Sequence, residues 1–135
     1  MMMKKIERRL EGLFGFWTSC GHAIRGIGFA FRSQRNFRIH LAAAVIVLLA
    51  AIWLRLGRLE IILTLLTVGL VIVAELLNTS IEYVLNLLEA RHHPVVKTSK
   101  DIAAGGVLIA VGVSVMIGLL LFGPPLLSLL RGYSR

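Results

Sequence analysis

The chain has 135 residues, enough for one domain, is 57% hydrophobic and carries a formal net charge of +8. Its mean hydropathy of +0.83 lies far above that of a soluble domain, in which apolar residues make up about half the chain; an ordinary water-soluble protein is excluded. Cys20 is the single cysteine, which excludes an intrachain disulfide and offers no metal-ligand spacing.

In chain order, residues 4–31 are predicted to form a surface helix region. Ile6, Leu10, Leu13 or Phe14, and Trp17 recur at helical spacing, and Lys4, Lys5, Glu7, Arg8, Arg9 and Glu11 occupy much of the remainder. Such a helix lies in a membrane interface with Trp17 as an anchor. Gly21, Gly26 and Gly28 then permit bends or close packing. The basic N-terminus is not followed by an apolar segment and a small-residue cleavage site, so no secretory leader is expected.

Three membrane helices are predicted, at 37–55, 59–88 and 100–122. The uncharged run Ile102–Phe122 is about 31 Å long as a helix, enough to cross a hydrocarbon core of ~30 Å. Leu41–Leu54 and Ile61–Ala74 are shorter uncharged runs, which reach crossing length once their interfacial flanks are included. The first helix is expected to turn at Gly57 into the second. The third is expected to start near Ser99 as N-cap and to end at "FGPP". Gly106, Ala110, Ser114 and Gly118 stand four residues apart, a small-residue ladder that allows close helix approach in lipid, within a subunit or between subunits. The expected fold is thus an all-α integral membrane protein, one domain over 1–135, with three transmembrane helices preceded by an N-terminal amphipathic surface helix.

The basic residues are not spread as a nucleic-acid surface. Eight of the 15 Lys and Arg precede Ile39, and Arg91, Lys97 and Lys100 flank the loop between the second and third helices. Only Arg55, Arg58, Arg131 and Arg135 fall on the other side. The positive-inside rule then places the N-terminus and the 89–99 loop in the cytoplasm, in a multi-pass membrane protein. The excess charge is a topology signal and an attraction to anionic lipid; no nucleic-acid partner is expected.

The second helix carries the candidate chemistry, in "VAELLNTSIEYVLN" (73–86). At about 100° per residue, Asn78, Glu82, Asn86 and Glu89 all fall within roughly 60° of Glu75. Val71, Val68 and Thr64 continue the same face, which turns from apolar to acidic along the helix. If the hydrocarbon core begins at Ile61 and spans ~20 residues, Glu75 sits about 7 Å inside its boundary. Asn78 then lies near the boundary and Glu82 just outside it. An ionisable side chain at such depth costs ~2.5–3.5 kcal/mol or more and marks a functional site by default. Glu89 reads as an ordinary solvated glutamate, and His92 and His93 as solvated loop residues rather than metal ligands. Gln34, Arg35, Asn36, Arg38, Lys100 and Asp101 belong to the same level. Together these groups suit phosphoryl transfer to a lipid hydroxyl, which needs a base for the alcohol, Mg²⁺ on the phosphates and a cation for developing charge. Composition alone also permits a structural pairing of Glu75 with Arg38 or Lys100, or a proton or ion pathway.

"RNFRIH", "AELLNTSIE", "HHPVVKTSKDIAAGGVLIA" and "IGLLLFGP" resemble the small prokaryotic membrane kinases of the diacylglycerol kinase family, the Gram-positive undecaprenol kinase type most of all. The likeness covers residues 21–125. The resemblance implies a homotrimer with composite sites between subunits, ATP–Mg²⁺ as phosphoryl donor and a membrane lipid alcohol as acceptor. It implies Glu75 as general base, Asn78 as the residue that organises the site, and Glu82 and Gln34 at the metal. Lys100, Asp101, Asn86 and Arg35 are then the nucleotide-side candidates, with Lys100 facing phosphate. Two positions depart from the family pattern. Gln34 and Asn86 stand where relatives usually carry Glu and Asp. An amide oxygen still ligates Mg²⁺ but lacks the charge this hard cation favours, so weaker metal binding is expected. The expected activity is phosphorylation of undecaprenol. The alternatives are a diacylglycerol kinase, or a catalytically impaired member that binds nucleotide or lipid.

Overall fold

The computed structural model describes residues 2–87 and 94–133, with side chains over 15–87 and 94–132. Glu89, His92 and His93 lie outside the described residues. Four helices follow in order: α1 (Met2–Ser33), α2 (Arg35–Trp53), α3 (Arg58–Leu87) and α4 (Pro94–Tyr133). The chain divides into two units, 1–34 with α1 and 35–135 with α2 to α4.

In the first unit α1 is one helix of 32 residues. Gly21, Gly26 and Gly28, where bends were expected, sit inside unbroken helix. A glycine costs a helix only about 1 kcal/mol relative to alanine, and here each is flanked by residues that sustain the helix. Ser19 and Ser33 donate their hydroxyls to the carbonyls of Gly15 and Phe29, both at 2.9 Å. The Gln34 N–H donates to the Ala30 carbonyl at 2.8 Å. Cys20 is a half-buried free thiol.

In the second unit α3 packs against both α2 and α4. The buried residues of α2 are Phe37, Ala44 and Ala51, and those of α3 are Thr64, Val71, Glu75, Asn78 and Thr79. Phe37–Ala44–Ala51 and Thr64–Val71–Asn78 both repeat every seven residues, the period of helices packed side by side at a shallow angle. Most other large side chains face outward and are apolar: Ile46, Leu66, Leu77, Ile109, Met116 and Leu120 are each at least 60% exposed. A surface this apolar needs lipid or another chain against it, and α2, α3 and the segment Pro94–Gly132 of α4 are each long and apolar enough to cross a membrane.

The turn between α2 and α3 is built differently from the expectation. The left-handed residue is Arg55 (φ 54°), and Gly57 has no positive φ. The Leu56 N–H donates to the Ala51 carbonyl and the Arg55 N–H to the Ile52 carbonyl, each at 3.0 Å; this paired closure is the Schellman end of a helix. Gly57 is instead the N-cap of α3. Its carbonyl accepts from the Ile61 N–H at 3.0 Å, and its own N–H donates to the Glu60 carboxylate. A glutamate three residues into a helix, reaching back to the cap, satisfies a donor the helix would otherwise leave unpaired.

The last helix departs most from its expected limits. It begins at Pro94, so Ser99 lies within it, and it runs through Pro124 and Pro125 to Tyr133. Proline at the first helical position loses nothing, because that N–H has no helical partner. Pro124 and Pro125 do remove two hydrogen bonds, but the proline φ is helical and the apolar sequence continues past them. The Ser128 hydroxyl donates to the Pro125 carbonyl at 2.7 Å. The small-residue ladder acts inside the chain at its centre. Ala110 is 5% exposed, and the Ser114 hydroxyl donates to the Thr67 carbonyl of α3 at 3.2 Å and to the Ala110 carbonyl at 2.8 Å. A Cβ built on Gly106 or Gly118 would meet nothing within 4 Å, so neither glycine serves a close approach within the chain.

Candidate functional site

The buried stripe of α3 changes character along its length. Thr64 and Val71 are followed by Glu75, Asn78 and Thr79, at 2%, 7% and 6% exposure. On a helix, residues three and four apart are surface neighbours, so Asn78 and Thr79 flank Glu75 one turn on. The next turn brings Glu82, half-buried, whose Oε1 accepts a hydrogen bond from Asn78 Nδ2 at 3.2 Å. The Asn78 amide is thereby oriented: its NH₂ faces the carboxylate, and its Oδ1 is buried with no partner among the described residues. One turn further, Asn86 Oδ1 accepts from Lys100 Nζ on α4 at 2.7 Å.

The structure therefore brings Glu75, Asn78, Glu82, Asn86 and Lys100 into one chain of neighbours along α3 and across to α4. Lys100 pairs with Asn86, not with Glu75, so the structural Glu75–Lys100 pairing left open by composition is not the arrangement adopted. Asp101 is exposed beside Lys100. Arg35 is exposed in the first turn of α2, and Gln34 is the half-buried residue that closes α1. Among the described residues no cluster of three or more His, Cys, Asp or Glu is placed to hold a metal ion by itself.

Two residues went unnoticed in the sequence. His40 is half-buried near the start of α2. Thr79 was passed over because a threonine in an apolar helix ordinarily bonds its own backbone. His40 did carry a signal: a histidine near the start of a membrane helix, at the level of the acidic face.

His40 also lines a cavity of about 500 Å³ between α2, α3 and α4. Val71, Val68, Thr64 and Ser114 continue its wall, and Phe122 and Leu126 line it as well. The apolar face that precedes Glu75 on α3 thus borders an apolar space.

The sequence matches the family model described as "Prokaryotic diacylglycerol kinase" over residues 21–122. It is 42% identical over 111 residues to the undecaprenol kinase of Bacillus subtilis, covering 82% of this chain and 90% of that one. It is 44% identical over 114 residues to a diacylglycerol kinase of a Synechocystis species, covering 84% of this chain and 65% of that one. The diacylglycerol kinase of Escherichia coli K12 is 29% identical over 98 residues, 73% of this chain and 80% of that one. The resemblance read in the motifs is borne out, and the chain belongs to the prokaryotic diacylglycerol kinase family.

Proposed function

We propose that this protein is an ATP-dependent lipid kinase that phosphorylates undecaprenol at the cytoplasmic face of the bacterial inner membrane. The observation that carries the reading is Glu75: a carboxylate 2% exposed on a membrane-crossing helix, with a hydrogen-bonded Asn78–Glu82 pair on the next turn and Lys100 across on α4. The choice of undecaprenol rests on the 42% identity to the Bacillus subtilis enzyme over most of both chains. A diacylglycerol acceptor is the runner-up, supported by the Synechocystis relative.

In this reading Glu75 accepts the proton of the lipid hydroxyl as the oxygen bonds to the γ-phosphorus of ATP. A base buried beside apolar wall residues meets the alcohol where water is scarce, which favours transfer to lipid over transfer to water. Asn78 holds Glu82 by its NH₂ group, leaving Glu82 Oε2 for a ligand. Mg²⁺ usually keeps several waters and takes one or two carboxylates plus phosphate oxygens, and Glu82 fits that requirement, with Gln34 as the second, neutral candidate. When bound, Mg²⁺ would neutralise charge on the β- and γ-phosphates. Lys100, steered by Asn86, supplies a cation for the phosphates, with Asp101 and Arg35 on the nucleotide side. The N-terminal helix serves as an amphipathic interfacial anchor, and the active form is a homotrimer with an N-terminus in the cytoplasm.

The test is phosphoryl transfer from labelled ATP by purified protein in bilayers containing undecaprenol or diacylglycerol. Transfer to undecaprenol in preference to diacylglycerol, abolished by EDTA, supports the reading. Transfer to neither acceptor sinks it, and recovery on Gln34→Glu in that case identifies the chain as an impaired member of the family.

A further inference from the structure

Most described hydroxyl groups in these helices close on their own backbone, several of them four residues back. Thr64 donates to the Glu60 carbonyl, Ser80 to Leu76, Thr98 to Pro94 and Ser114 to Ala110, each four residues back at 2.8–3.0 Å. Backbone pairing of this kind is the usual resting place of a helical hydroxyl. Thr79 departs from this pattern. The residue is only 6% exposed, and its Oγ1 is buried with no hydrogen-bond partner among the described residues. The contrast with Ser80 is instructive: the exposed hydroxyl next along the chain is paired, and the buried one is not. A buried polar group left unpaired costs free energy, so an unused hydroxyl there calls for a partner that arrives from outside the described residues.

The neighbours of Thr79 say what that partner needs. Thr79 is four residues after Glu75, on the same face of α3. A lipid alcohol giving its proton to Glu75 keeps two lone pairs on oxygen. One attacks phosphorus, and the other needs a donor to fix the direction of attack. One N–H of Asn78 is engaged on Glu82, and the Thr79 O–H is uncommitted among the described residues. We propose that the Thr79 hydroxyl is a substrate-positioning group, donating a hydrogen bond to the oxygen of the acceptor alcohol beside the Glu75 carboxylate.

The step balances within the reading of a lipid kinase, on which it rests. The alcohol O–H bond breaks and its proton passes to Glu75. The oxygen–phosphorus bond forms, and the bond from the γ-phosphorus to its bridging oxygen breaks. That electron pair leaves on ADP. Thr79 keeps its proton throughout and holds the oxygen in line, a contribution of orientation.

The experiment is steady-state kinetics of full-length protein in bilayers, varying undecaprenol at saturating ATP–Mg²⁺ and then ATP at saturating lipid. Thr79→Val removes the hydroxyl at nearly constant shape. It is expected to lower kcat/KM for the alcohol about five- to tenfold, the range for one neutral hydrogen bond. KM for ATP should stay within twofold of the parent, and Thr79→Ser should restore transfer. If valine is not tolerated by the fold, Thr79→Ala is read in the same way. An unchanged kcat/KM for the alcohol overturns the proposal. So does an equal rise in KM for ATP, a failure of Thr79→Ser to restore transfer, or an altered oligomeric state, because each marks a structural hydroxyl. A parent protein that phosphorylates no lipid alcohol refutes the function reading itself, and is distinguished from a parent that works and a valine variant that is unaffected.

Discussion

The two halves of α3 treat polar groups in opposite ways. In the first, the carboxylate of Glu60 and the hydroxyls of Thr64 and Thr67 are closed on the backbone. Glu60 accepts from the Gly57 N–H, Thr64 donates to Glu60, and Thr67 donates to Thr64 while its carbonyl accepts from Ser114. In the second half Ser80 still closes on Leu76, but the polar groups of the Glu75 face bond each other or remain open: Asn78 bonds Glu82, Asn86 accepts from Lys100, and Asn78 Oδ1 and Thr79 Oγ1 are buried with no partner among the described residues. Both halves belong to one helix long and apolar enough to cross a membrane; the second is the more polar, and its polar groups are bonded differently. A self-satisfied polar group builds the helix and its packing, whereas a buried open one keeps its capacity for something that binds.

That contrast breaks or sharpens on mutation, and the largest effect is expected at its centre. Glu75→Gln should lower kcat for lipid transfer by roughly 10²–10⁴-fold, the range for a general base, with little change in thermal unfolding. A variant that keeps the parental rate would remove Glu75 from the chemistry. Glu82→Gln should come next: a 10–100-fold rise in the Mg²⁺ concentration giving half-maximal rate, the scale seen when support for a metal site is lost. A Mg²⁺ titration that superimposes on the parent's would reassign Glu82 to packing. In the same titration Gln34→Glu should move the midpoint the other way, to lower Mg²⁺, by a few-fold, because it adds the carboxylate charge Mg²⁺ favours.

Asn86→Ala leaves Lys100 without its 2.7 Å partner, and KM for ATP should rise about two- to fivefold, as for one lost hydrogen bond, with KM for the lipid unchanged. A change in lipid KM instead would move this pair off the nucleotide side. The smallest effect belongs to the first half. Ser114→Ala deletes the α4–α3 hydrogen bond and should cost about 0.6 kcal/mol of stability, read as a modest shift in thermal unfolding in detergent, with kinetics intact. Should Ser114→Ala cost activity as much as Asn86→Ala, the division of α3 into a structural and a functional half would not stand.

Much of this was legible in the residues themselves. Helix formation and membrane crossing follow from local apolar runs, because a backbone in lipid must pair its own N–H and C=O groups whatever its neighbours do. The acidic face of α3 was equally local, since spacing along one helix sets which side chains share a side. The ends of elements were less so. The α2–α3 turn places its left-handed residue at Arg55 because the Schellman closure needs that position, while Gly57 serves as a cap. Pro124 and Pro125 are common helix terminators, yet α4 runs through them.

What the sequence by itself determined is therefore the class of protein, its crossing helices and the stripe Glu75–Asn78–Glu82–Asn86, all set by periodicities within single segments. Only the tertiary structure decided which polar atoms are already taken. The Lys100–Asn86 bond joins residues on different helices, the Ser114–Thr67 bond depends on how α4 packs on α3, and the Thr79 hydroxyl, without a partner among the described residues, is a matter of rotamer and burial. The physical reason is common to all three: a hydrogen bond is a relation between atoms brought together by packing, and spacing along one chain segment specifies only one of its two ends.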